Sequence, residues 1–249
     1  QKYLEDDNCC VLRNELKGIL KVTSNYDEGR RGQWRIIREY FPSTDQPALV
    51  ESYQIINTGK NELAIELPQV NQKSITDPKK GVTGSFCIET LTDKSGHFTL
   101  QPGESLTFGA SLLAYKEGEK APLIDVQKEK GQREALVGEL MNKLVLETPD
   151  PIIDRMFAFS KIRGCESIYE TKGGPMHGPG GESYYAAIWA NDQAEYINPF
   201  FPFVGYEYGN ASALNSYLHF ARFMNDEWKP IPSSIIAEGI DIWNGAGDR

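Results

Sequence analysis

The sequence predicts a chain of two structural parts, an antiparallel β-sandwich followed by α-helices. Apolar and polar residues alternate with a period of two between Trp34 and Tyr115, as they do in strands that bury one face. The stretch from Lys116 to Lys130 is rich in charged residues and is typical of a solvated connection. After Arg133, apolar residues recur at helical spacing, so the second part is predicted to be helical.

Turn signals separate the predicted strands. The sequence Asn-Thr-Gly-Lys-Asn occupies positions 57–61, and Gln-Pro-Gly-Glu occupies positions 101–104. Proline presets φ for a turn, and glycine supplies the positive φ that other residues avoid. The alternation is clearest in four segments, which are Trp34–Ile36, Tyr53–Ile55, Leu63–Leu67 and Leu106–Leu112. Strand, turn and strand in this order predict antiparallel pairing.

Two helices are predicted between Arg133 and Gly164. The second begins at Thr148-Pro149-Asp150, where Thr148 can cap the free N–H groups, and it ends at Gly164. The first, Arg133–Leu146, carries an apolar stripe made of Leu136, Val137, Leu140, Met141 and Leu144. The apolar face of the second contains Ile152, Ile153, Met156 and Phe157.

Two more helices are predicted near the end of the chain. One begins near Asn191 and is shortened or kinked by Pro199 and Pro202. The other has Asn210 as its cap, an interpretation that we prefer to a glycosylation sequon at the same residues. Its predicted buried face consists of Leu214, Tyr217, Leu218, Ala221 and Met224.

The charge balance argues against nucleic acid and anionic membranes as the main partners. The chain of 249 residues has 26 Lys and Arg against 35 Asp and Glu, which is a net charge of −9. Polyanions repel such a chain, so a neutral substrate suits it better. No apolar run approaches the roughly 20 residues that a membrane-spanning helix needs. Four cysteines are too few and too irregularly spaced to predict a disulfide framework or a zinc site.

A loop rich in glycine and proline leads into an aromatic segment that ends in an acid. Residues 173–193 read GGPMHGPGGESYYAAIWANDQ. Aromatic faces pack on the apolar C–H faces of a pyranose, and a carboxylate accepts hydrogen bonds from sugar hydroxyls. Tyr185, Trp189 and Asp192 are therefore candidate sugar-binding residues, with Asn191 and the loop residue His177 beside them. The alternative is a buried aromatic cluster in which Asp192 only caps a helix.

The sequence lacks the motifs of common cofactor and metal sites. The glycines at 178, 180 and 181 are not followed by the lysine and the serine or threonine of a phosphate loop. A Gly-x-Ser-x-Gly nucleophile elbow is missing, and the three histidines are too far apart for a local zinc signature. We therefore expect neither a cofactor nor a metal.

The order of these features resembles bacterial proteins of the six-hairpin glycosidase superfamily, in particular relatives of the glucoamylases. The segment Ile188–Asp192 is similar to the Trp-x-Arg-Asp motif of that family, and residues 237–249 provide a second similarity. The resemblance implies an N-terminal β super-sandwich followed by the first helices of an (α/α)6 toroid. On this template residues 1–118 form the sandwich, 119–146 a linker with a helix, and 147–249 an incomplete toroid.

The resemblance also implies roles for single residues. Asp192 looks like the acid that binds the hydroxyls of the terminal sugar, and Trp189 like the tryptophan that precedes it. Asn191 departs from the family pattern, because many relatives have arginine there, and an amide offers no fork of charged donors. Near the end of the chain, Trp243 resembles a sugar platform, and Asp248 and Arg249 resemble the start of the second inner helix.

The catalytic acid and base are expected beyond residue 249. Inverting hydrolysis needs two carboxyl groups roughly 6.5 to 9.5 Å apart, and in the family pattern they come from later hairpins. Within the chain, Glu238 and Asp241 are the candidates, although such acids more often order a glycine-rich loop through backbone N–H groups. We therefore expect the 249-residue chain alone to be inactive.

The resemblance implies a glycoside hydrolase that acts on the end of an oligosaccharide or polysaccharide. A phosphorylase of the same toroid type and a carbohydrate-binding protein without activity are the alternatives. An incomplete toroid would leave the apolar face of residues 210–225 open, so self-association or a second chain is expected. A bacterial enzyme of this kind is expected in the periplasm or outside the cell.

Overall fold

The computed structural model describes residues 9–27, 32–79, 84–171, 173–178 and 187–236. The chain divides into two compact units, Gln1–Val137 and Gly138–Arg249. The division falls inside the first long helix, in the range that the sequence assigns to the linker.

The first unit is built on a large antiparallel sheet, as the sequence predicts. Seven strands pair in the order β1-β2-β3-β4-β9-β7-β6, and β5 and β8 form a separate antiparallel pair. The described strands of this unit are β1 (Cys9–Leu16), β2 (Leu20–Asp27), β3 (Gln33–Pro42), β4 (Ala48–Asn57), β5 (Leu63–Leu67), β6 (Asn71–Ile75), β7 (Phe86–Thr92), β8 (Gly96–Leu100) and β9 (Ser105–Lys116).

The two faces of β4 pack on different neighbours because its side chains alternate. On one face, Ile55 packs with Leu63, Leu100 and Leu106 and so joins the large sheet to the β5–β8 pair. On the other face, Val50 packs with Phe41 of β3 and with Val126 of the following helix. This arrangement is consistent with a β-sandwich domain.

The turn at positions 57–61 is closed by one buried side chain. Asn57 donates through Nδ2 to the backbone oxygens of Asn61 and Leu100, at 2.8 and 2.9 Å. Its Oδ1 accepts from the N–H of Gly59 at 2.9 Å. The turn that the sequence predicts here is therefore confirmed, and it is tied to the end of β8.

Helix α1 (Val126–Asn142) begins seven residues before the predicted start at Arg133 and ends before Leu146, so both predicted bounds are wrong. The carboxylate of Asp125 accepts from the N–H groups of Gln127 and Lys128, each at 3.1 Å, which starts the helix early. The end of the charged segment before Arg133 is thus helical rather than a solvated connection, because one side of it packs on the sheet through Val126.

Helix α2 (Pro151–Glu166) lies where a helix is predicted, but its cap and end differ. Asp150, not Thr148, is the cap, and its carboxylate accepts from the N–H of Ile152 at 2.8 Å. The Thr148 hydroxyl instead donates to Asp154 at 2.9 Å. The helix continues through Gly164 to Glu166. Of its predicted apolar face, Ile152, Ile153 and Met156 are exposed and Phe157 is half-buried, whereas Lys161, Ile162 and Cys165 are buried.

The rest of the second unit combines short strands with helices. The strands are β10 (Ile168–Thr171), β11 (Gly174–His177), β12 (Ala187–Trp189) and β13 (Ser234–Ile236). The helices are α3 (Ala190–Asp192), a π-helical turn (Gln193–Ile197), α4 (Asn198–Val204) and α5 (Glu207–Ala221). Met176, Ile188, Phe220 and Ile235 form their shared core. Among the described helices, none combines the length and the apolar character that crossing a membrane requires.

The cap and the buried face predicted for α5 differ from those in the structure, although an exposed apolar face in residues 210–225 agrees with the expectation for an incomplete toroid. Tyr206 precedes the helix and Asn210 lies within it, so Asn210 is not the cap. Leu214, Tyr217 and Leu218 are 61%, 52% and 59% exposed, while the small or polar residues Gly209, Ser212, Ala213, Ser216 and His219 are buried with Phe220. Ala221 and Met224, the last two residues of the predicted buried face, are also exposed. On the buried face, Gly209 lies against Phe201 of α4 and Ser216 accepts a hydrogen bond from Asn198, so small residues let the two helices approach closely.

Candidate functional site

The residues of the aromatic and acidic motif lie where a strand becomes a helix. Trp189 ends β12, pairs with Ser234 of β13 and has extended backbone angles. The N–H of Ala190 donates to the backbone oxygen of Ser233 at 2.8 Å, which fixes the point where the chain turns into the helix. Asn191 and Asp192 therefore lie in the first turn, where free N–H groups favour negative charge and polar ligands.

The helix that begins here is continuous to Val204 but contains a π-helical turn. Asp192, Ile197 and Asn198 all have helical backbone angles, and the N–H of Asn198 donates to the oxygen of Gln193, five residues earlier. Pro199 follows at once and has no N–H to continue the regular ladder. The helix start predicted near Asn191 is confirmed, and the irregularity expected from the prolines takes the form of a π turn, a feature common at functional sites.

Asp192 is held by a tyrosine that the sequence analysis missed. The hydroxyl of Tyr196 donates a short hydrogen bond to Asp192 Oδ1. Partial burial and the neighbouring carboxylate raise the pKa of Tyr196 to about 12, so the hydroxyl remains a donor at neutral pH. The i, i+4 spacing of the two residues is the signal that could have revealed the pair.

His177, which the sequence assigns to a loop, is buried beside this helix. It ends β11, is 4% exposed, and its ring lies edge-on to Phe201 with centroids 5.9 Å apart. Burial lowers the pKa of His177 to about 4, although the charge of Asp192 acts in the opposite direction. The ring is therefore neutral at pH 7, which leaves one nitrogen as an acceptor.

Gln193 connects His177 to the helix. Its Nε2 donates to the backbone oxygen of His177 at 2.8 Å, and its side chain is buried. Within the described ranges, neither His177 Nδ1 nor Gln193 Oε1 has a hydrogen-bond partner. Buried polar atoms usually have one, so a bound water or ligand hydroxyl would suit both.

The structure thus brings four of the sequence-predicted site residues to one region. Trp189 and Asp192 are half-buried, His177 is buried, and Asn191 is exposed at the helix start. The other candidates lie outside the described residues; these are Tyr185, Glu238, Asp241, Trp243, Asp248 and Arg249. In the part of the chain that the structure describes, no three His, Cys, Asp or Glu side chains group as metal ligands.

Comparisons with known proteins rest on the fold. No family model matches the chain, and no curated protein matches it. A solved structure with a similar fold is described as "Putative kojibiose phosphorylase from human microbiome"; the two chains share 8% identity with a TM-score of 0.52. The similarity covers 74% of this chain and 32% of that structure, so the chain spans about a third of its length. At this identity the comparison shows a shared fold, a large antiparallel sheet followed by helices.

Proposed function

We propose that this chain is part of an enzyme acting on glycans, and that Trp189 and Asp192 bind the sugar at the glycan end. The observation that carries the proposal is their position at one strand-to-helix junction, with Asp192 held by Tyr196. An indole packs on the C–H face of a pyranose, while a carboxylate accepts hydrogen bonds from hydroxyls. The fold similarity to a structure described as a phosphorylase of a disaccharide supports a glycan-acting class.

In this proposal the helix start positions the sugar for reaction. Tyr196 occupies Oδ1 of Asp192, so the carboxylate offers its remaining lone pairs in a fixed direction. Asn191 adds an exposed amide that can donate to a further hydroxyl. Holding the terminal ring in one orientation lowers the barrier, because the scissile bond is then presented to the catalytic groups without further loss of entropy.

We propose hydrolysis as the reaction and phosphorolysis as the second candidate. In both, the bond between the anomeric carbon and the bridging oxygen breaks, and an acid protonates the leaving oxygen. Hydrolysis adds water to the anomeric carbon and releases a free sugar, whereas phosphorolysis adds phosphate and releases a sugar 1-phosphate. The second candidate is kept because the structural neighbour is described as a phosphorylase. A carbohydrate-binding protein without activity is the candidate from another class.

Product analysis separates these candidates. The protein in its full encoded length is incubated with kojibiose and with maltoheptaose, with and without inorganic phosphate, and the products are separated by chromatography. Free monosaccharide in both buffers indicates hydrolysis, and sugar 1-phosphate formed only with phosphate indicates phosphorolysis. Saccharide binding with no product under either condition would contradict an enzyme of either kind.

The site itself is tested by replacing Asp192. Loss of a charged hydrogen bond to the sugar costs about 1.5–3 kcal/mol, so Asp192→Asn should lower kcat/KM, or the affinity for saccharide, by about ten- to a hundredfold. Glu195→Gln is the matched control, because Glu195 lies on the same helix and is exposed. If Asp192→Asn behaves like the wild-type protein, Asp192 does not bind the sugar.

A further inference from the structure

A groove elsewhere in the second unit has the features of a carbohydrate site. It is an open groove of about 750 Å³ and is lined by Glu139, Lys143, Tyr206, Glu207 and Tyr208. Small-molecule sites commonly enclose roughly 300–1,000 Å³, so one or two sugar rings would fit. Two aromatic rings with a few charged groups form its wall, which is the composition expected of a site for a neutral, hydroxyl-rich ligand.

The two tyrosines form a rigid corner. Their ring centroids are 6.3 Å apart and the ring planes are inclined by 73°. The hydroxyl of Tyr208 donates a short hydrogen bond to Glu170 of β10. The ring is therefore fixed by this hydrogen bond at one end and by its attachment to the backbone at the other. Partial burial raises the pKa of both tyrosines, and the hydroxyls stay protonated at neutral pH. Rigid aromatic surfaces lose little conformational entropy when a ligand binds.

The charged groups of the groove favour a neutral ligand over an anionic one. The ammonium group of Lys143 contacts Glu139 Oε1 at 2.5 Å and donates to the backbone oxygen of Gly205 at 2.8 Å, which leaves it one further N–H. Glu139 and Glu207 both line the groove, so carboxylates outnumber the ammonium group by two to one. Such a surface can accept from and donate to hydroxyls but repels phosphate.

The groove is remote from the Trp189 and Asp192 site. Asp192 lies at the start of the helical segment that ends at Val204, and Gly205 caps the other end. Gly205 lies thirteen positions after Asp192, and a rise of about 1.5 Å per residue places the two sites on the order of 20 Å apart along the helix. A sugar bound at the groove therefore cannot occupy the terminal-sugar site.

We propose that the groove at Tyr206 and Tyr208 is a second binding site for a neutral saccharide, separate from the site at Trp189 and Asp192. The choice of a saccharide among neutral ligands rests on the proposed function. A second site would retain a long glycan while its end is bound elsewhere, and binding at two linked sites raises the overall affinity through effective concentration.

The experiment uses NMR of the protein with ¹³C-labelled tyrosine rings, titrated with kojibiose, maltoheptaose and glucose 1-phosphate. We expect the neutral saccharides to shift the Tyr206 and Tyr208 ring signals while Tyr217, an exposed tyrosine on the same helix, stays unchanged. Tyr208→Ala should weaken this binding by about tenfold, as loss of an aromatic contact does, and Tyr217→Ala should not. Because the ring signals report on the unmodified protein, the saccharide titration itself does not depend on the folding of a variant.

The Asp192→Asn variant separates this proposal from the preceding one. If the groove signals still shift in Asp192→Asn, the groove binds saccharide independently. If Asp192→Asn removes every shift, or neutral saccharides leave the Tyr206 and Tyr208 signals unchanged, the second site is refuted. If Asp192→Asn changes nothing and Tyr208→Ala removes all binding, the groove stands and the terminal-sugar site is refuted. A larger shift with glucose 1-phosphate than with neutral saccharide would also overturn the proposal.

Discussion

The hydroxyl of Tyr196 donates a hydrogen bond to the carboxylate of Asp192, four residues earlier on the same helix. The pair spans the beginning of the π-helical turn, in front of Pro199. The geometry of this turn therefore determines where the carboxylate points. Without the hydroxyl, the carboxylate would rotate more freely and would have to be ordered when a sugar binds.

Replacing Tyr196 by phenylalanine should weaken saccharide binding without unfolding the protein. The ring stays, but the donor to Asp192 is lost, and an exposed hydrogen bond of this kind contributes on the order of 1 kcal/mol, so affinity should fall about three- to tenfold. Calorimetric titration with maltoheptaose measures the change. Tyr217→Phe on α5 is the control, since Tyr217 is similarly exposed. Equal affinities for the two variants would show that Tyr196 does not orient Asp192.

His177 should titrate far below an ordinary histidine. Burial lowers its pKa from 6.5 to about 4, so the unfolded state binds more protons than the folded state between these two values. The free energy of unfolding should therefore fall as the pH decreases from 6.5 to 4. The difference between the two pKa values corresponds to about 3 kcal/mol, as an order of magnitude.

An NMR titration of the His177 ring measures this directly, with a midpoint expected near pH 4. In addition, His177→Leu should reduce the loss of stability of the second unit between pH 6.5 and 4. A midpoint near 6.5, or an unchanged pH dependence in the variant, would mean that His177 is accessible to water.

The elements that the sequence predicts well are those in which one local pattern decides the outcome. Strand β5 buries Leu63 and half-buries Ile65 and Leu67, with exposed residues between them, so the period of two is visible in the sequence itself. The helix start near Asn191 follows from the acid that ends the aromatic segment after the glycine- and proline-rich loop. The presence of a helix and its approximate position can be predicted from such signals.

Burial against a neighbouring element could not be predicted in the same way. The apolar stripe of α5 indicates a helix, but the buried face is the one with small residues, where Gly209 lies against Phe201 of α4. The burial of His177 also depends on α4, more than twenty residues later in the chain. The charged sequence before Arg133 did not indicate a helix. The helix begins there because the carboxylate of Asp125 accepts a hydrogen bond from the N–H of Gln127.

The close packing of α5 on α4 predicts a strong effect of one methyl group. A Cβ atom added at Gly209 would lie 2.3 Å from the ring of the fully buried Phe201, so the ring or the helix must shift. Gly209→Ala should therefore destabilise the second unit by about 1–3 kcal/mol, in spite of the better helix propensity of alanine.

Gly131→Ala in α1 is the matched control, because nothing lies within 4 Å of the added atom. It should be neutral or stabilising by up to about 1 kcal/mol. Thermal unfolding compares the two, and equal stability of both variants would contradict the packing argument.

Lys161 should be among the most sensitive positions of the second unit. It is 1% exposed, and its ammonium group donates to the backbone oxygens of Met141, Lys143 and Leu144 at 2.5–3.2 Å. These oxygens lie at the end of α1 and just beyond it, where the helix can no longer satisfy them. The lysine of α2 therefore closes the end of α1 and satisfies its own three donors at the same time.

Lys161→Met keeps a long apolar side chain but leaves the three carbonyl groups without their donor, so we expect a loss of about 2–4 kcal/mol in the free energy of unfolding. Urea unfolding followed by circular dichroism measures this loss. Lys128→Met on α1 is the control, since Lys128 is exposed and its removal should change stability by less than about 0.5 kcal/mol.

Lys161→Arg tests geometry as well as charge, because the larger planar guanidinium cannot place three donors around one point as an ammonium does. We therefore expect Lys161→Arg to destabilise the unit too. Full stability of Lys161→Met would show that water can replace the ammonium group, and the site would then not be buried.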